Sequence, residues 1–357
     1  MNINIPIGNG KSFKLSLSKL FFPFLIFVLV VLVFLKFSEL REIGRLFAQI
    51  KWYWLIAVVG AQFLNLILQT NVYHRILDIL KMPKIKFWEF LKISLTVIFL
   101  NFTIPSYGFA GNIYLVKLLK KKFNFQEGRS LMIIILQLIS FYLSLVILII
   151  ITLIYMFIQI GRLELIPLIA GIAFVTLCLV VFLVLRFWFA NREKAPKRVA
   201  WFAKRFYKFD SEGDNLPFEA RVRIFLNEFY SDLDWLKDNK RKLIRPILIQ
   251  LFKFFSDGLT VFVIFLAFGH LISYGISLST YALGQLIGLV SFVPGGIGFF
   301  EGAMALTSKS LGVSLELSVT VMLIYRFFSY WLYFPVGLIF YRKLSKELEN
   351  GSDSESN

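Results

Sequence analysis

The sequence predicts an all-α polytopic membrane protein, a helical bundle of about six spanning helices plus two re-entrant hairpins that enter from opposite faces. Three observations predict it. Of the 357 residues, 58% are hydrophobic at a mean hydropathy of +0.73, and several apolar runs reach the roughly 18 residues that a bilayer crossing needs. The run containing SFVPGGIGFFEGAM, Ser291 to Met304, is broken by Pro294, Gly295, Gly296 and Gly298. A second run is broken by NFTIPSYGFAGN, with Pro105, Gly108 and Gly111. Proline removes a backbone donor and glycine admits dihedrals that other residues avoid, so each helix should unwind at its break. Unwound backbone at membrane depth is tolerated only where it is buried in protein or lines a wet cavity.

Taken in order, Lys11, Lys14 and Lys19 precede the apolar run Leu20 to Leu35. The run is long for a signal peptide and is followed by KFSELREIG instead of a small-residue cleavage site, so it reads as an uncleaved first helix. Ser38 to Lys51 reads as a short amphipathic interfacial helix, with Leu40, Ile43, Phe47 and Ile50 at helical spacing. The second span, roughly Tyr53 to Tyr73, carries Gln62, Asn65 and Gln69 on one face, either for interhelical hydrogen bonds or to line a polar pathway. Arg75, Lys81, Lys84 and Lys86 then place the following loop, and with it the N-terminus, in the cytoplasm.

Phe90 to Ile104 is short and is followed by Lys117, Lys120, Lys121 and Lys122. A full crossing would leave that basic cluster outside; a hairpin that turns near Pro105 and returns through Phe109 to Leu119 does not. Leu131 to Ile158 leads outward and Ile166 to Trp188 returns. Residues 191–245 form a basic loop expected to make amphipathic helices lying on the inner leaflet. Pro246 to His270 spans again, with Lys253 and Asp257 paired at i, i+4. Tyr281 to Val293 enters, breaks at Pro294 and returns through Phe299 to Leu311, after which Leu315 to Phe340 runs inward to Arg342, Lys343 and Lys346. The transmembrane domain thus covers residues 1–345, and the polar tail 346–357 is expected to be disordered. Broken segments at matching places in two halves of opposite orientation point to an inverted repeat with a site between the halves.

The formal net charge of +17 follows from positive-inside loops against anionic lipid, so no nucleic-acid partner is expected. Cys178 is the only cysteine, which leaves no intramolecular disulfide. His74 and His270 read as interfacial residues, and no metal spacing or phosphate loop of the Walker type occurs. Neither a metal nor any other cofactor is expected, and no enzyme activity.

YALGQLIGLVSFVPGGIGFFEGAMALTSKSLG, followed by Tyr325, Arg326 and FPVGL, resembles the second signature of the lysylphosphatidylglycerol synthase transmembrane-region family, also called flippase-like domain proteins. Pro294, Gly295, Gly296, Gly298, Glu301, Arg326, Pro335 and Gly337 carry the match. PSYGFAGNIYLVKLLKKK is similar to the family's first signature, with Asn112 in the acidic place and Lys117 in the arginine place. The resemblance implies movement of a lipid between leaflets, the lipid being anionic or isoprenoid-linked. In bifunctional members this domain is joined to a soluble aminoacyl transferase; here the chain stops soon after the last helix, and lysine transfer is not expected of it.

The candidate substrate-binding residues are therefore Pro105, Gly108, Gly111, Asn112, Lys117, Pro294, Gly295, Gly296, Gly298, Glu301 and Arg326. Two half-helix ends would offer partial positive charge to a phosphate, Arg326 would contact the headgroup, and Glu301 would hold Arg326 while the site is empty. Against this stands a permanent structural Glu301–Arg326 pair, or a Glu301 that serves only its helix terminus. Three functions follow from the sequence: a lipid translocator with membrane lipids as its partners, a transporter of a small polar solute, or a membrane partner of a glycolipid, glycosyl-transfer or envelope-lipid enzyme.

Overall fold

The computed structural model describes residues 2–7, 11–16, 50–103, 109–161, 165–190, 218–291 and 294–353, and divides the chain into a unit of residues 1–50 and a unit of residues 51–357. In the first unit β1 (Asn2–Ile7) pairs antiparallel with β2 (Lys11–Ser16), Asn2 opposite Ser16 and Ile7 opposite Lys11. The alternation in NINIPI puts Ile3, Ile5 and Ile7 on one face, as a strand requires. The helix expected over Leu20 to Leu35, and nearly all of that over Ser38 to Lys51, lie outside the described residues.

The second unit is helical throughout its described length and is the all-α membrane fold that the composition predicts. Its elements are α1 (Tyr53–Ile79), α2 (Phe87–Thr103), α3 (Phe109–Phe123), α4 (Glu127–Ile160), α5 (Leu165–Ala190) and α6 (Phe218–Asp238). A 3-10 turn, Lys240–Leu243, then leads into α7 (Ile244–Ala267), followed by α8 (Tyr274–Val290), a 3-10 turn at Pro294–Gly296, α9 (Phe299–Ser310) and α10 (Leu315–Arg326). A π-helical turn, Phe327–Trp331, joins α10 to α11 (Tyr333–Asp353). Among the described residues, 4 stretches are long and apolar enough to cross a membrane: Tyr53–Ile79, Gly128–Gln159, Lys240–Ala267 and Leu315–Leu348.

A long helix, two short ones and a second long one occur twice in this order, α1 to α4 and α7 to α11. The first long helices of the two sets pack on each other, and each set's first short helix packs on the other set's last long one. α1 runs antiparallel to α7: the Lys51 amide donates to the Ala267 carbonyl at 2.8 Å, Gln62 Nε2 to Thr260 Oγ1 at 3.2 Å, and Asn65 Nδ2 to Asp257 Oδ1 at 2.8 Å. α2 packs on α11, where the Phe99 ring meets Phe334 with centroids 5.1 Å apart and Lys92 lies over Phe340 at 5.9 Å. α4 packs on α8, with the Tyr155 ring against Gly275. The seam between the long helices is polar where it crosses the middle of the bundle, and that is where the cavity described below opens.

At one end of the bundle an apolar cluster gathers Ile76 and Leu80 of the α1 end, Phe90, Leu118, Ile133 and residues of α6 and α11. This corrects two expectations. α6, within the 191–245 loop, buries Leu226, Phe229, Tyr230 and Leu236 in that cluster instead of presenting them to the inner leaflet. Its polar side is tied down as well: Glu228 accepts from the Gly128 amide at 3.0 Å, and Asp232 pairs with Arg129 at 3.4 Å. Burial pushes the Asp232 carboxyl up, while the Arg129 guanidinium opposes that shift. The tail is not disordered from residue 346, because α11 continues to Asp353. Leu344 and Leu348 extend its apolar stripe by one more turn into the cluster, and Lys122 Nζ bridges Glu347 at 2.6 Å and Glu89 at 3.0 Å. Residues 191–217 and 354–357 lie outside the described residues.

Candidate functional site

The second break forms as the sequence predicts. α8 ends at Val290 and α9 starts at Phe299, with Gly295, Gly296 and Gly298 at φ of 67°, 65° and 85°. Space requires glycine as much as dihedral angle does, since a Cβ on Gly296 would lie 2.9 Å from Gly288 Cα. α9 therefore folds back along α8 at close range. A Cβ on Gly284 would meet Met304 Cγ at 2.5 Å, and one on Gly288 would meet Phe300 Cβ at 3.1 Å.

Glu301, in the first turn of α9, accepts from the Gly298 amide at 2.6 Å through Oε2, which closes the helix terminus. Its Oε1 pairs with Arg326 Nε. Arg326 donates to the Gly295 carbonyl at 3.1 Å, and its guanidinium lies 4.0 Å from the Phe300 ring centre and 4.8 Å from that of Tyr330. Tyr330, one turn further on, donates to the same Gly295 carbonyl at 3.2 Å. The break, Glu301 and Arg326 are thus one assembly, with the guanidinium plane fixed between two aromatic faces. The π turn that starts at Phe327 sets the spacing that brings both Arg326 and Tyr330 to this carbonyl.

The first break is described on both sides: α2 ends at Thr103 and α3 begins at Phe109. Pro105 and Gly108 lie outside the described residues. Gly111 packs against the Val97 carbonyl, and its amide donates to Asn101 Oδ1 at 2.8 Å, so α3 returns along α2. Asn112 is half-buried and Lys117 exposed, and neither is among the residues that line the cavity. Lys117 lies six residues, about 9 Å along the helix, past Gly111, which carries it toward the basic end.

Between the two hairpins lies a cavity of about 380 Å³. Gln62, Asn65 and Gln69 of α1 and Asn101 of α2 form one wall; Lys253 and Asp257 of α7, the Gly295–Gly296 turn and Arg326 form the other. Of the two uses considered for the polar face of α1, interhelical bonding is realised: Gln62 and Asn65 bond to α7, and both also face the cavity. Asp257 was legible only as the partner of Lys253, whose Nζ lies 3.2 Å from Oδ2. The fold also aims Asn65 at it, together with the hydroxyls of Tyr281 at 3.0 Å and Tyr325 at 3.3 Å. Tyr325 in turn stacks on Phe300, the ring that carries Arg326, at 6.0 Å and 16°. Tyr333 closes the α1 side by donating to the Gln62 carbonyl at 2.5 Å. A charged i, i+4 pair inside an apolar run, facing three amides on an equivalent helix, was the available signal for this half of the site.

His74 stacks on Phe87 at 5.5 Å near the end of α1, away from the cavity. Among the described residues no group of three His, Cys, Asp or Glu side chains comes together.

The family model described as Lysylphosphatidylglycerol synthase TM region matches residues 20–337. A UPF0104 membrane protein of Methanothermobacter thermautotrophicus is 30% identical over 172 residues, 47% of this chain and 50% of that one. A UPF0104 membrane protein of Pyrococcus horikoshii is 27% identical over 178 residues, 49% of this chain and 53% of its own length. The phosphatidylglycerol lysyltransferase of Staphylococcus epidermidis is 38% identical over 68 residues, 19% of this chain and 8% of the relative. The chain spans about half the length of the UPF0104 relatives it matches.

Proposed function

The chain belongs to the lysylphosphatidylglycerol synthase TM-region family, and from that premise we propose that it carries the polar, anionic head of a membrane lipid between leaflets while the acyl or isoprenoid tails stay in the bilayer. The observation that carries this reading is the reversal at Pro294–Gly298, which sets a fixed Arg326 guanidinium on the wall of a cavity also lined by amides and the Lys253–Asp257 pair. A headgroup must pass about 30 Å of hydrocarbon, where bare charge is strongly disfavoured. Hydrogen-bonding amides and one oriented cation lower that barrier without admitting bulk water. Volume supports the division between head and tail: about 380 Å³ lies at the small end of ligand cavities, enough for a headgroup and too little for a two-tailed lipid.

On this reading α2–α3 and α8–α9 are re-entrant hairpins from opposite faces, two inverted halves flank the cavity, and the full spans number about six. The exposed basic residues Lys81, Lys84, Lys120, Arg241 and Lys346 support a cytoplasmic side at their end, in a cell membrane with both chain ends in the cytoplasm. The protein makes and breaks no bond; enzymes that produce or consume the envelope lipid would act before or after it.

The test is reconstitution in vesicles with fluorescent phosphatidylglycerol and, in parallel, an isoprenoid phosphate and a neutral glycolipid, scored by dithionite quenching. Wild type should scramble an anionic probe faster than the neutral one. Glu301→Gln and Arg326→Lys should each slow it about tenfold or more, the loss of one charge-assisted bond. Unchanged rates in both variants, with normal gel-filtration profiles, would leave the pair structural.

A further inference from the structure

We propose that the cavity holds a second cation for the headgroup: Lys253, latched to Asp257 while the cavity is empty, swings onto the phosphate and grips it together with Arg326. This rests on the headgroup reading above and adds a residue, a partner and an order of events to it.

The two cations are held in different ways. Arg326 is fixed in place by Glu301, the Gly295 carbonyl and two aromatic faces. Among the described residues Lys253 has one charged contact, Asp257 at 3.2 Å, on a flexible four-carbon stem, and its side chain is 20% exposed against 7% for Asp257. Its other neighbour is the Phe254 ring, with Nζ 5.9 Å from the ring centre.

The carboxylate does not depend on the lysine alone. A carboxylate has about four acceptor sites, and Asn65, Tyr281 and Tyr325 fill three of them with neutral donors from three other helices. When Lys253 leaves, Asp257 keeps those three bonds, so departure of the lysine does not strand a bare buried charge, the usual penalty of parting a buried pair. Among the described residues, Asp257 is faced by these three and Lys253, with the Tyr274 and Tyr333 hydroxyls also within its field; Arg326 and Glu301 stand one ring further off, behind Tyr325 and Phe300.

Asn65 also explains what else the ligand offers. Its Nδ2 is committed to Asp257, while Oδ1, in a residue 3% exposed on the cavity wall, has no protein donor. A buried acceptor without a donor, on the wall beside the Lys253–Asp257 pair, suits a phosphate that carries a neighbouring hydroxyl, as in a phosphoglycerol or phosphosugar head. A free phosphate ester shares that chemistry with a lipid, so the test has an arm for each source.

Full-length protein in detergent is titrated with glycerol 3-phosphate and with inorganic phosphate, read by ligand-induced thermal stabilisation, and the same preparations are assayed in vesicles with fluorescent phosphatidylglycerol. Lys253→Gln should raise the glycerol 3-phosphate midpoint about tenfold and slow lipid movement to a similar degree, the worth of one charge-assisted bond. Lys253→Arg should keep both within about threefold. Asp257→Asn, which removes the latch and keeps a polar group for the surrounding donors, should lower the midpoint below that of wild type. A structural pair predicts the opposite for this variant: Lys253→Gln and Asp257→Asn would weaken binding alike, and that result overturns the proposal. If Asp257→Asn does not yield monodisperse protein, the lysine variants decide, since equal losses in Lys253→Gln and Lys253→Arg also overturn it. Lipid movement that Lys253→Gln leaves unchanged defeats this inference and spares the translocator reading. Lysine-dependent glycerol 3-phosphate binding without any lipid movement defeats the translocator reading and leaves a site for a soluble phosphate ester.

Discussion

Glu301 places one carboxylate oxygen on the Gly298 amide and the other on Arg326, so a single side chain both ends a helix and neutralises a cation. This was readable in the sequence, because an acid three residues past a glycine break occupies the position from which it reaches back to the cap. Asp257 was readable only in part, since its remaining donors lie 192, 24 and 68 residues away and no local spacing announces them. The glycines of the break differ in a way the sequence hides. Gly296 and Gly298 both have positive φ, yet a Cβ on Gly298 meets nothing within 4 Å, whereas on Gly296 it meets the Gly288 backbone at 2.9 Å. Gly298→Ala should therefore cost only the dihedral strain, of order 1–3 kcal/mol. Gly296→Ala should cost more, because the steric conflict adds to the same strain. Thermal unfolding of the two variants in detergent gives the order.

The apolar runs located each described spanning helix, since a bilayer demands length and hydropathy together, and the proline–glycine clusters located both reversals. What composition could not supply was the partner of an amphipathic face. α6 looks the same from sequence whether its Leu226 and Phe229 rest on lipid or join a protein cluster with Leu80 and Ile133, and only the fold decides. The end of α11 misled for a related reason: the polar run ENGSDSESN suggested a disordered tail from residue 346, while α11 continues to Asp353 and buries Leu348. Between α2 and α11 the determinant is one missing side chain. A Cβ on Gly337 would lie 2.5 Å from Phe99 Cβ and 2.9 Å from the Leu95 carbonyl. Gly337→Val should separate the two helices and lower stability by about 1–3 kcal/mol, as overpacking does. Gly302→Ala, half-buried in the interior of α9 with open space around it, should be neutral or slightly stabilising. Denaturation of both variants beside wild type measures the contrast.

For the molecule as a whole, the orientation inferred from charge is open to direct measurement. With Cys178, the only cysteine, replaced by Ser, single cysteines at Lys84 and Lys346 should react with an impermeant maleimide from one side of sealed vesicles. A cysteine at Leu271, 83% exposed beyond the end of α7, should react from the other. Labelling of all three from the same side would contradict the spans assigned to α7 and to α10–α11. The antiparallel seam of α1 and α7 reaches further than topology. Two halves related by such a seam would, if chemically identical, look the same from either compartment, and so favour neither direction of travel. They are not identical: among the described residues, the charged side chains on the cavity wall, Lys253, Asp257 and Arg326, all belong to the later half, and the earlier half contributes amides there. For the proposed translocator, this mismatch of one neutral wall set against one electrically charged wall is the asymmetry that the cavity itself offers to a bias between inward and outward passage.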